Sequence, residues 1–298
     1  MAAPLPLIVS SSVTLDLVAV GPDVERTLWT ENRPSSRWFQ GLDLGELLRH
    51  RELLLFFAVK ELKVRYKQTF FGVGWALLQP LLAMGVFTVI FGRFADLPSD
   101  GLPYSVFVLS GLTVWLYIAN SIRMASESLV EDPSLVTKIY FPRMLAPAGA
   151  VLPGLVDLAV SFVAVAVLMA MLGVAPGTAV LLLPVWAAAA VLVALGAGLW
   201  LSALNVLYRD IRSVVPFLVQ VWLFASPVIF PSSIIESPEA YVYALNPVVG
   251  VLDGFRWSLL DAPPPGIEDL VSLGSGLLLL LTGMAYFRHA ERRFADQI

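Results

Sequence analysis

The sequence lacks cysteine and has only two histidines, and these shortages limit the chemistry open to the chain. Without cysteine there is no disulfide framework and no thiol nucleophile. His50 and His289 lie far apart in sequence and each is next to an arginine, so no histidine-based metal cluster is visible. A glycine-rich phosphate loop ending in Lys-Ser or Lys-Thr is also missing. We therefore predict no catalytic residues, no metal site and no nucleotide hydrolysis on this chain.

Charge is the next shortage, because only 14% of residues are charged while 58% are hydrophobic. Soluble domains average roughly 25% charged residues. The mean hydropathy is +0.79, and the apolar residues come in runs of about 20, the length that crosses a hydrocarbon core of ~30 Å as a helix. The composition therefore predicts an all-α, polytopic membrane protein.

Six transmembrane helices are predicted from these apolar runs. Their bounds are 70–91, 104–124, 144–172, 178–207, 214–230 and 270–287. Several contain proline, among them Pro80, Pro147 and Pro153. Proline is tolerated within a membrane where neighbouring helices satisfy the backbone groups that it frees.

Lysine and arginine predict the orientation of these spans. Of the nineteen cations, seventeen fall before the first span, between spans two and three, after span four, or after span six. The exceptions are Arg93 and Arg256. Because cytoplasmic loops carry the excess of cations, both termini are expected in the cytoplasm, with the acidic loops outside.

Three regions are predicted along the chain. Residues 1–41 form a poorly periodic, cytoplasmic N-terminal extension, and residues 42–68 form an amphipathic helix. In that helix Leu55, Val59, Leu62 and Tyr66 share one stripe beside a row of lysines. Such a helix is expected to lie in the cytoplasmic membrane interface, with its lysines reaching the lipid headgroups. Residues 69–298 form the six-span transmembrane domain.

Two polar or broken segments stand out between the spans. Residues 127–143 place acids first and cations last around Pro133, an order that suits a short helix matched to its dipole. The segment is either a helix that meets a soluble partner or a solvated loop. Residues 231–266 hold short apolar pieces divided by proline, which is typical of re-entrant or interfacial helices.

Asp157 is an acid near the middle of the third predicted span. Charge at that depth is costly and often functional, so one hypothesis is a proton or substrate site. The alternative is a neutral or paired carboxyl group facing the bundle, bonded to Ser161 or to a polar group on a neighbouring helix.

Four segments of the chain resemble a known family. Residues 51–80, 127–143, 204–230 and 244–257, together with the six-span layout, are similar to the permease subunit of ABC-2 type exporters of polysaccharides and teichoic-acid-like polymers. The resemblance covers nearly everything after residue 45. The extension before it is longer than the family pattern requires.

The resemblance implies a homodimer in the bacterial inner membrane that pairs with two soluble ATPase subunits. ATP and Mg²⁺ would bind to those subunits, and this chain would carry no cofactor. The substrate would be a glycan linked to undecaprenyl diphosphate, and nucleic acid would not be a partner. The 42–68 helix would be the interface helix, the 127–140 segment a coupling helix, and the 231–266 region an outer gate.

The same resemblance assigns roles to individual residues. ATPase coupling would fall to Glu127, Glu131, Asp132, Pro133, Lys138 and Tyr140. The substrate diphosphate would be held at the entrance by Lys60, Lys63, Arg65, Lys67, Arg209 and Arg212, since cations bind phosphate by charge-assisted bonds. Aromatic residues that stack on sugar rings would line the channel, namely Trp75, Phe87, Phe91, Trp115, Trp222 and Phe224. The outer gate would contain Asn246, Pro247, Phe255 and Arg256.

Other functions stay open at this stage. An ABC-2 exporter of a drug or small lipid shares the mechanism but not the substrate. A proton-coupled secondary transporter would use Asp157 and need no ATPase, although no inverted repeat is visible. An intramembrane lipid-processing enzyme is disfavoured because histidines and clustered acids are scarce.

Overall fold

A computed structural model describes residues 51–67, 74–131, 142–236 and 238–294 of the chain. Several predictions lie outside these residues. They are the 1–41 extension, the first part of the interface helix up to residue 50, and the coupling residues Asp132, Pro133, Lys138 and Tyr140.

Throughout the described ranges the fold is helical and contains no strand. This confirms the all-α prediction. The α-helices are α1 (Arg51–Tyr66), α2 (Gly74–Phe87), α3 (Tyr104–Glu127), α4 (Leu145–Val151), α5 (Gly154–Leu172), α6 (Leu183–Leu207), α7 (Ile211–Phe224), α8 (Glu239–Tyr243), α9 (Val248–Leu260) and α10 (Ile267–Phe294). A π-helical turn, Thr88–Phe94, extends α2, and short 3₁₀ turns occur at Val180–Leu182 and Ser232–Ile234.

Five helical stretches are long and apolar enough to cross a membrane. They are Gly74–Phe94, Tyr104–Glu127, Leu145–Leu172, Val180–Leu207 and Ile267–Phe294. Each overlaps a predicted span, and the ends agree within four residues except at the last stretch, which ends at Phe294 and not at the predicted residue 287. The prolines lie in two different places. Pro80 lies inside α2, whereas Pro153 separates α4 from α5.

The remaining predicted span, 214–230, differs from the structure. Only Ile211–Phe224 is helical there, and its 14 residues measure about 21 Å, short of the ~30 Å hydrocarbon core. The helix ends at Ala225, and turns lead from there to Pro231. The six-span count is therefore not confirmed, and five spans are observed among the described residues.

Helix α3 is at the centre of the bundle. Most of its length is buried, and it packs against α5, α6, α7 and α9. Its neighbour α6 also crosses α10 closely, because glycines occupy the crossing. A Cβ atom on Gly196 would lie 2.8 Å from the backbone nitrogen of Leu280, and one on Gly283 would lie 2.6 Å from the Gly196 carbonyl oxygen.

The interface helix α1 packs on α4 at the edge of the bundle. Gly149 permits this approach, since a Cβ atom there would lie 2.6 Å from the Cβ of Phe57. Leu55 and Phe56 of α1 stay more than half exposed, at 58% and 60%. Helix α1 therefore has one side on the bundle and an apolar side directed outward.

Candidate functional site

A cavity of about 440 Å³ lies between α1, α2, α3 and α5. Its polar lining mixes cations, one acid, amides and hydroxyl groups. The lining residues are Arg65, Tyr66, Trp75, Ala76, Gln79, Pro80, Thr113, Leu116, Tyr117, Asn120, Arg123, Gly154, Asp157, Leu158 and Ser161. Such a volume and mixture are typical of sites for small polar ligands or headgroups.

Asp157 is paired at one wall of this cavity. Its two carboxylate oxygens accept hydrogen bonds from the Arg65 guanidinium and the Tyr66 hydroxyl, both on α1. Arg65 also contacts the sulfur of Met124 on α3. Burial and the hydrogen bond to Asp157 raise the pKa of Tyr66 to about 12, so its hydroxyl remains a donor at neutral pH. Asp157 is therefore paired in this structure, and its functional role stays a prediction.

The sequence analysis offered two partners for Asp157, namely Ser161 or a polar group on a neighbouring helix, and the observed partners are on the neighbouring helix α1. The Ser161 hydroxyl instead donates to the carbonyl oxygen of Ala76, at 2.9 Å, and so ties α5 to α2. Gly154 brings α5 close to α3, because a Cβ atom there would lie 3.0 Å from the Tyr117 ring. These contacts hold the three spans that enclose the cavity.

Five polar residues of the cavity were missed by the sequence analysis, namely Gln79 on α2 and four residues on α3. Thr113, Tyr117, Asn120 and Arg123 follow one another at helical spacing on α3. The available signal was that spacing, together with a cation at the end of an apolar run. Arg123 had been counted only as a loop cation that fixes orientation.

Glu127 joins the ends of two helices. Its carboxylate lies 3.5 Å from Arg212 at the start of α7 and 3.9 Å from Arg123 one turn earlier on α3. The Glu127 side chain is 16% exposed. The predicted coupling residue Glu127 and the predicted entrance residue Arg212 therefore touch each other at one end of the bundle.

The other predicted entrance and coupling residues that the structure describes lie outside the cavity lining. Lys60, Lys63 and Lys67 are carried by α1 and the residue after it, and Arg209 is exposed just before α7. Glu131 is exposed, and its backbone N–H donates to the carbonyl oxygen of Glu127 at 3.0 Å. Of the predicted entrance set, only Arg65 lines the cavity.

The predicted channel aromatics occupy different environments. Trp75 lines the cavity and is 52% exposed, whereas Trp115 is 3% exposed in the core and packs edge-to-face on Trp222. Phe87 and Phe91 pack edge-to-face on each other, with ring centroids 5.6 Å apart. Phe224 is exposed at the end of α7. A channel role for this set stays a prediction.

Arg256, one of the predicted outer-gate residues, makes buried hydrogen bonds. Arg256 of α9 donates to the carbonyl oxygens of Pro227 and Val228, at 2.6 and 3.0 Å, and lies 3.7 Å from the centroid of the Phe107 ring. Phe255, the preceding residue, is 1% exposed and stacks on Phe162 of α5.

Asn246 links the same region to α7. Its side-chain oxygen accepts hydrogen bonds from the Trp222 ring nitrogen and from the Val248 backbone, at 2.9 and 3.1 Å. Its amide nitrogen donates to the Ala225 carbonyl oxygen at 2.9 Å. Pro247 directly precedes the first residue of α9. The turn that follows α7 is therefore bound by Asn246, just before α9, and by Arg256, within α9.

Comparison with known proteins agrees with this helical arrangement. The ABC-2 type transporter family matches residues 52–260. The chain is 30% identical to the O-antigen export system permease protein RfbA of Myxococcus xanthus over 256 residues, which cover 85% of this chain and 98% of that protein. A Klebsiella pneumoniae O-antigen export system permease protein RfbA is 26% identical, covering 82% and 94%.

A polysaccharide transporter with another cargo is also similar. The polysialic acid transport protein KpsM of Escherichia coli is 24% identical over 243 residues, which cover 78% of this chain and 91% of that protein. The family match includes nearly all of α1, the four long helical stretches up to α6, and the helices α7 to α9. Among the described helices, α10 follows the matched region. The chain therefore belongs to the ABC-2 type transporter family.

Proposed function

We propose that this chain is the transmembrane subunit of an ABC exporter that moves a lipid-linked polysaccharide across the bacterial inner membrane. The observation that carries the proposal is the match to the Myxococcus xanthus O-antigen permease over 98% of that protein's length. A likeness over the whole length, rather than over one motif, favours the same kind of cargo. Its polymer would be of the O-antigen, capsule or wall-glycan type.

Energy would come from a separate subunit. The sequence carries no phosphate-binding loop, so two soluble ATPase subunits would bind ATP and Mg²⁺ and pair with a homodimer of this chain. The segment from Glu127, the last residue of α3, onward would dock on the ATPase as the coupling helix. Both termini would lie in the cytoplasm, in agreement with the distribution of cations.

The contacts of Glu127 support a route for the coupled motion. Because Glu127 lies between Arg123 of α3 and Arg212 of α7, a displacement of the coupling segment would reach both helices at once. Helix α7 continues into the turn at 225–230, which Arg256 and Asn246 fasten to α9. Movement at the cytoplasmic end would thereby be passed to the outer gate formed by α8 and α9.

The exposed apolar side of α1 supports its proposed place in the membrane interface. Leu55 and Phe56 would contact lipid, and Lys60, Lys63 and Lys67 would reach the headgroup layer. Arg209 and Arg212 at the start of α7 would add positive charge at the same membrane face. An entrance with this charge suits the diphosphate of an undecaprenyl-diphosphate-linked glycan.

The paired state of Asp157 weighs against a proton-coupled secondary transporter. A proton-carrying acid must release and regain its proton during transport, whereas Asp157 accepts hydrogen bonds from a cation and a hydroxyl group. An exporter of a drug or small lipid is the remaining alternative. Such an exporter differs from a glycan exporter only in its cargo. The two are distinguished by which substrate stimulates the ATPase.

The test is co-purification of the tagged chain with the ATPase encoded beside it, followed by an ATPase assay. A 2:2 complex whose ATPase rate rises with lipid-linked glycan, and not with a hydrophobic drug or phospholipid, is the expected result. Export into inverted vesicles then provides the direct readout. Transport under a proton gradient without any ATPase would overturn the proposal, and stimulation by the drug alone would favour the alternative cargo.

A further inference from the structure

The cavity between α1, α2, α3 and α5 contains a buried hydroxyl group that has no partner among the described residues. Thr113 and Tyr117 are each 3% exposed and line the cavity. The Tyr117 hydroxyl interacts with the Ser121 hydroxyl one turn later on α3, whereas the Thr113 Oγ1 makes no hydrogen bond with any residue that the structure describes. An unsatisfied buried hydroxyl is costly, and native proteins satisfy nearly all buried polar groups. The Thr113 hydroxyl therefore indicates a polar molecule in the cavity.

The charges of the lining indicate that this molecule is an anion. Arg65 is neutralised by Asp157, with which it pairs directly. Arg123 is less closely paired, since its side chain is 49% exposed and its ion-pair partner, a carboxylate oxygen of Glu127, is 3.9 Å away. That distance exceeds a normal hydrogen bond. Arg123 consequently gives the described lining a surplus of one positive charge.

The remaining walls suit a ligand with several hydroxyl groups. Trp75 presents an aromatic surface, and Gln79 and Asn120 carry amide groups that both donate and accept hydrogen bonds. Ring C–H faces pack well on indole, and the hydroxyl groups at the ring edge match amides and hydroxyls. A volume of about 440 Å³ is ample for one glycosyl or glyceryl group and its phosphate.

We propose that this cavity, inside a single subunit, is a binding site for a phosphate ester that bears a hydroxylated group. Arg123 holds the phosphate, while Thr113, Tyr117, Gln79 and Asn120 bind the hydroxyl groups beside Trp75. Two lipids offer this chemistry, a lipid-linked glycan through its first sugar phosphate and a glycerophospholipid through its headgroup. Only the first source rests on the proposed export function.

The absence of cysteine makes a direct occupancy assay available. Ala76→Cys places a thiol in the cavity wall, and Ala95→Cys places the same thiol on an exposed residue outside it. Each full-length variant is reconstituted in phosphatidylcholine nanodiscs, and the rate of alkylation by a water-soluble maleimide is measured. The probes are α-glucose 1-phosphate, glycerophosphoglycerol, and glucose as the uncharged control.

We expect a phosphate ester to slow the alkylation of Ala76→Cys and to leave Ala95→Cys unaffected. Adding Arg123→Gln should raise the ester concentration that gives half protection by roughly 10- to 100-fold, because a charge-assisted bond is lost. Adding Thr113→Val should raise that concentration by about threefold to tenfold. Thr113→Val should also leave thermal stability unchanged or raised, since it removes an unsatisfied hydroxyl. Arg93→Gln, an exposed cation outside the cavity, is the matched control.

The pattern of protection identifies the source of the ligand. Stronger protection by α-glucose 1-phosphate supports the glycan lipid, and stronger protection by glycerophosphoglycerol supports a phospholipid headgroup. Absence of protection by both esters, or protection unchanged by Arg123→Gln and Thr113→Val, would overturn the proposal. Because occupancy is measured without ATP, its failure would leave glycan export standing, and a failure of export would leave the measured site standing.

Discussion

At the scale of single residues, Asp157 shows how a charge is kept inside an apolar bundle. The carboxylate is 23% exposed and is met by Arg65, which comes from a helix 92 residues earlier in the chain. Tyr66, the next residue of α1, supplies a second hydrogen bond. The pair therefore fastens the end of the interface helix to the third long span.

We predict that Asp157→Asn and Arg65→Gln each lower the stability of the subunit by about 1–3 kcal/mol. Each change leaves one charge without its partner, and partial exposure reduces the penalty below that of a fully buried pair. The Arg65→Gln/Asp157→Asn double variant should be more stable than the sum of the two single changes predicts. The measurement is thermal unfolding of the purified chain in detergent.

Lys63→Gln is the control for this pair, because Lys63 is an exposed cation on the same helix. It should leave the unfolding temperature unchanged. Strictly additive losses in the double variant would show that Arg65 and Asp157 do not act together. Loss of proton-driven transport in Asp157→Asn, with stability retained, would instead revive the proton-site hypothesis.

At the scale of helices, the crossing of α6 and α10 depends on glycine. Both Gly196 and Gly283 face backbone atoms of the opposite helix at distances that exclude a methyl group. Such small residues allow close helix packing in membranes, where dispersion contacts replace the hydrophobic effect as the source of association. The approach of these helices thus depends on residue size and not on polarity.

We predict that Gly196→Ala destabilises the subunit by roughly 1–3 kcal/mol, because its methyl group would meet the Leu280 backbone and force the helices apart. Gly274→Ala, on α10 and with no atom within 4 Å of the added Cβ, is the matched control. It should be neutral or slightly stabilising, as alanine favours the helix. Equal unfolding temperatures for the two variants would contradict close packing at this crossing.

The sequence predicted these helices better than it predicted their interactions. The length of an apolar run is set by bilayer thickness, so five spans could be located from the sequence. The polar end of α10, which continues to Phe294, was not predicted as part of the helix. On α10, a Cβ atom added at Gly276 would lie 3.3 Å from the Val193 side chain, whereas one at Gly274 would have no atom within 4 Å. Helix α7 was predicted too long, because the apolar residues after Ala225 fold into turns that Arg256 and Asn246 hold.

The cavity shows why the site was harder to predict. Asp157 could be singled out, since an acid in an apolar run is rare. Its partners could not, because Arg65, Met124 and Asp157 come from three separate helices that meet only after packing. Arg123 was overlooked for a related reason. Its position at a span end looked like an ordinary orientation signal, and only the fold shows that it lines a cavity.

At the scale of the whole molecule, the two ends of the bundle have different chemistry. One end carries the Arg123–Glu127–Arg212 contacts and the exposed Glu131. At the other end, Ser233 donates a hydrogen bond to Asp100, and Glu236 is exposed. A soluble ATPase that docks at the first end would meet Glu131 and would be remote from Glu236.

We predict that Glu131→Lys uncouples ATP hydrolysis from transport, because it reverses an exposed charge in the segment proposed to dock on the ATPase. In the purified complex, stimulation of the ATPase by lipid-linked glycan should fall at least severalfold, while the unfolding temperature of the subunit is retained. Glu236→Lys makes the same charge reversal at the opposite end and should preserve stimulation. If both variants keep full stimulation, Glu131 takes no part in coupling; if both lose it, overall charge and not docking at one end is responsible.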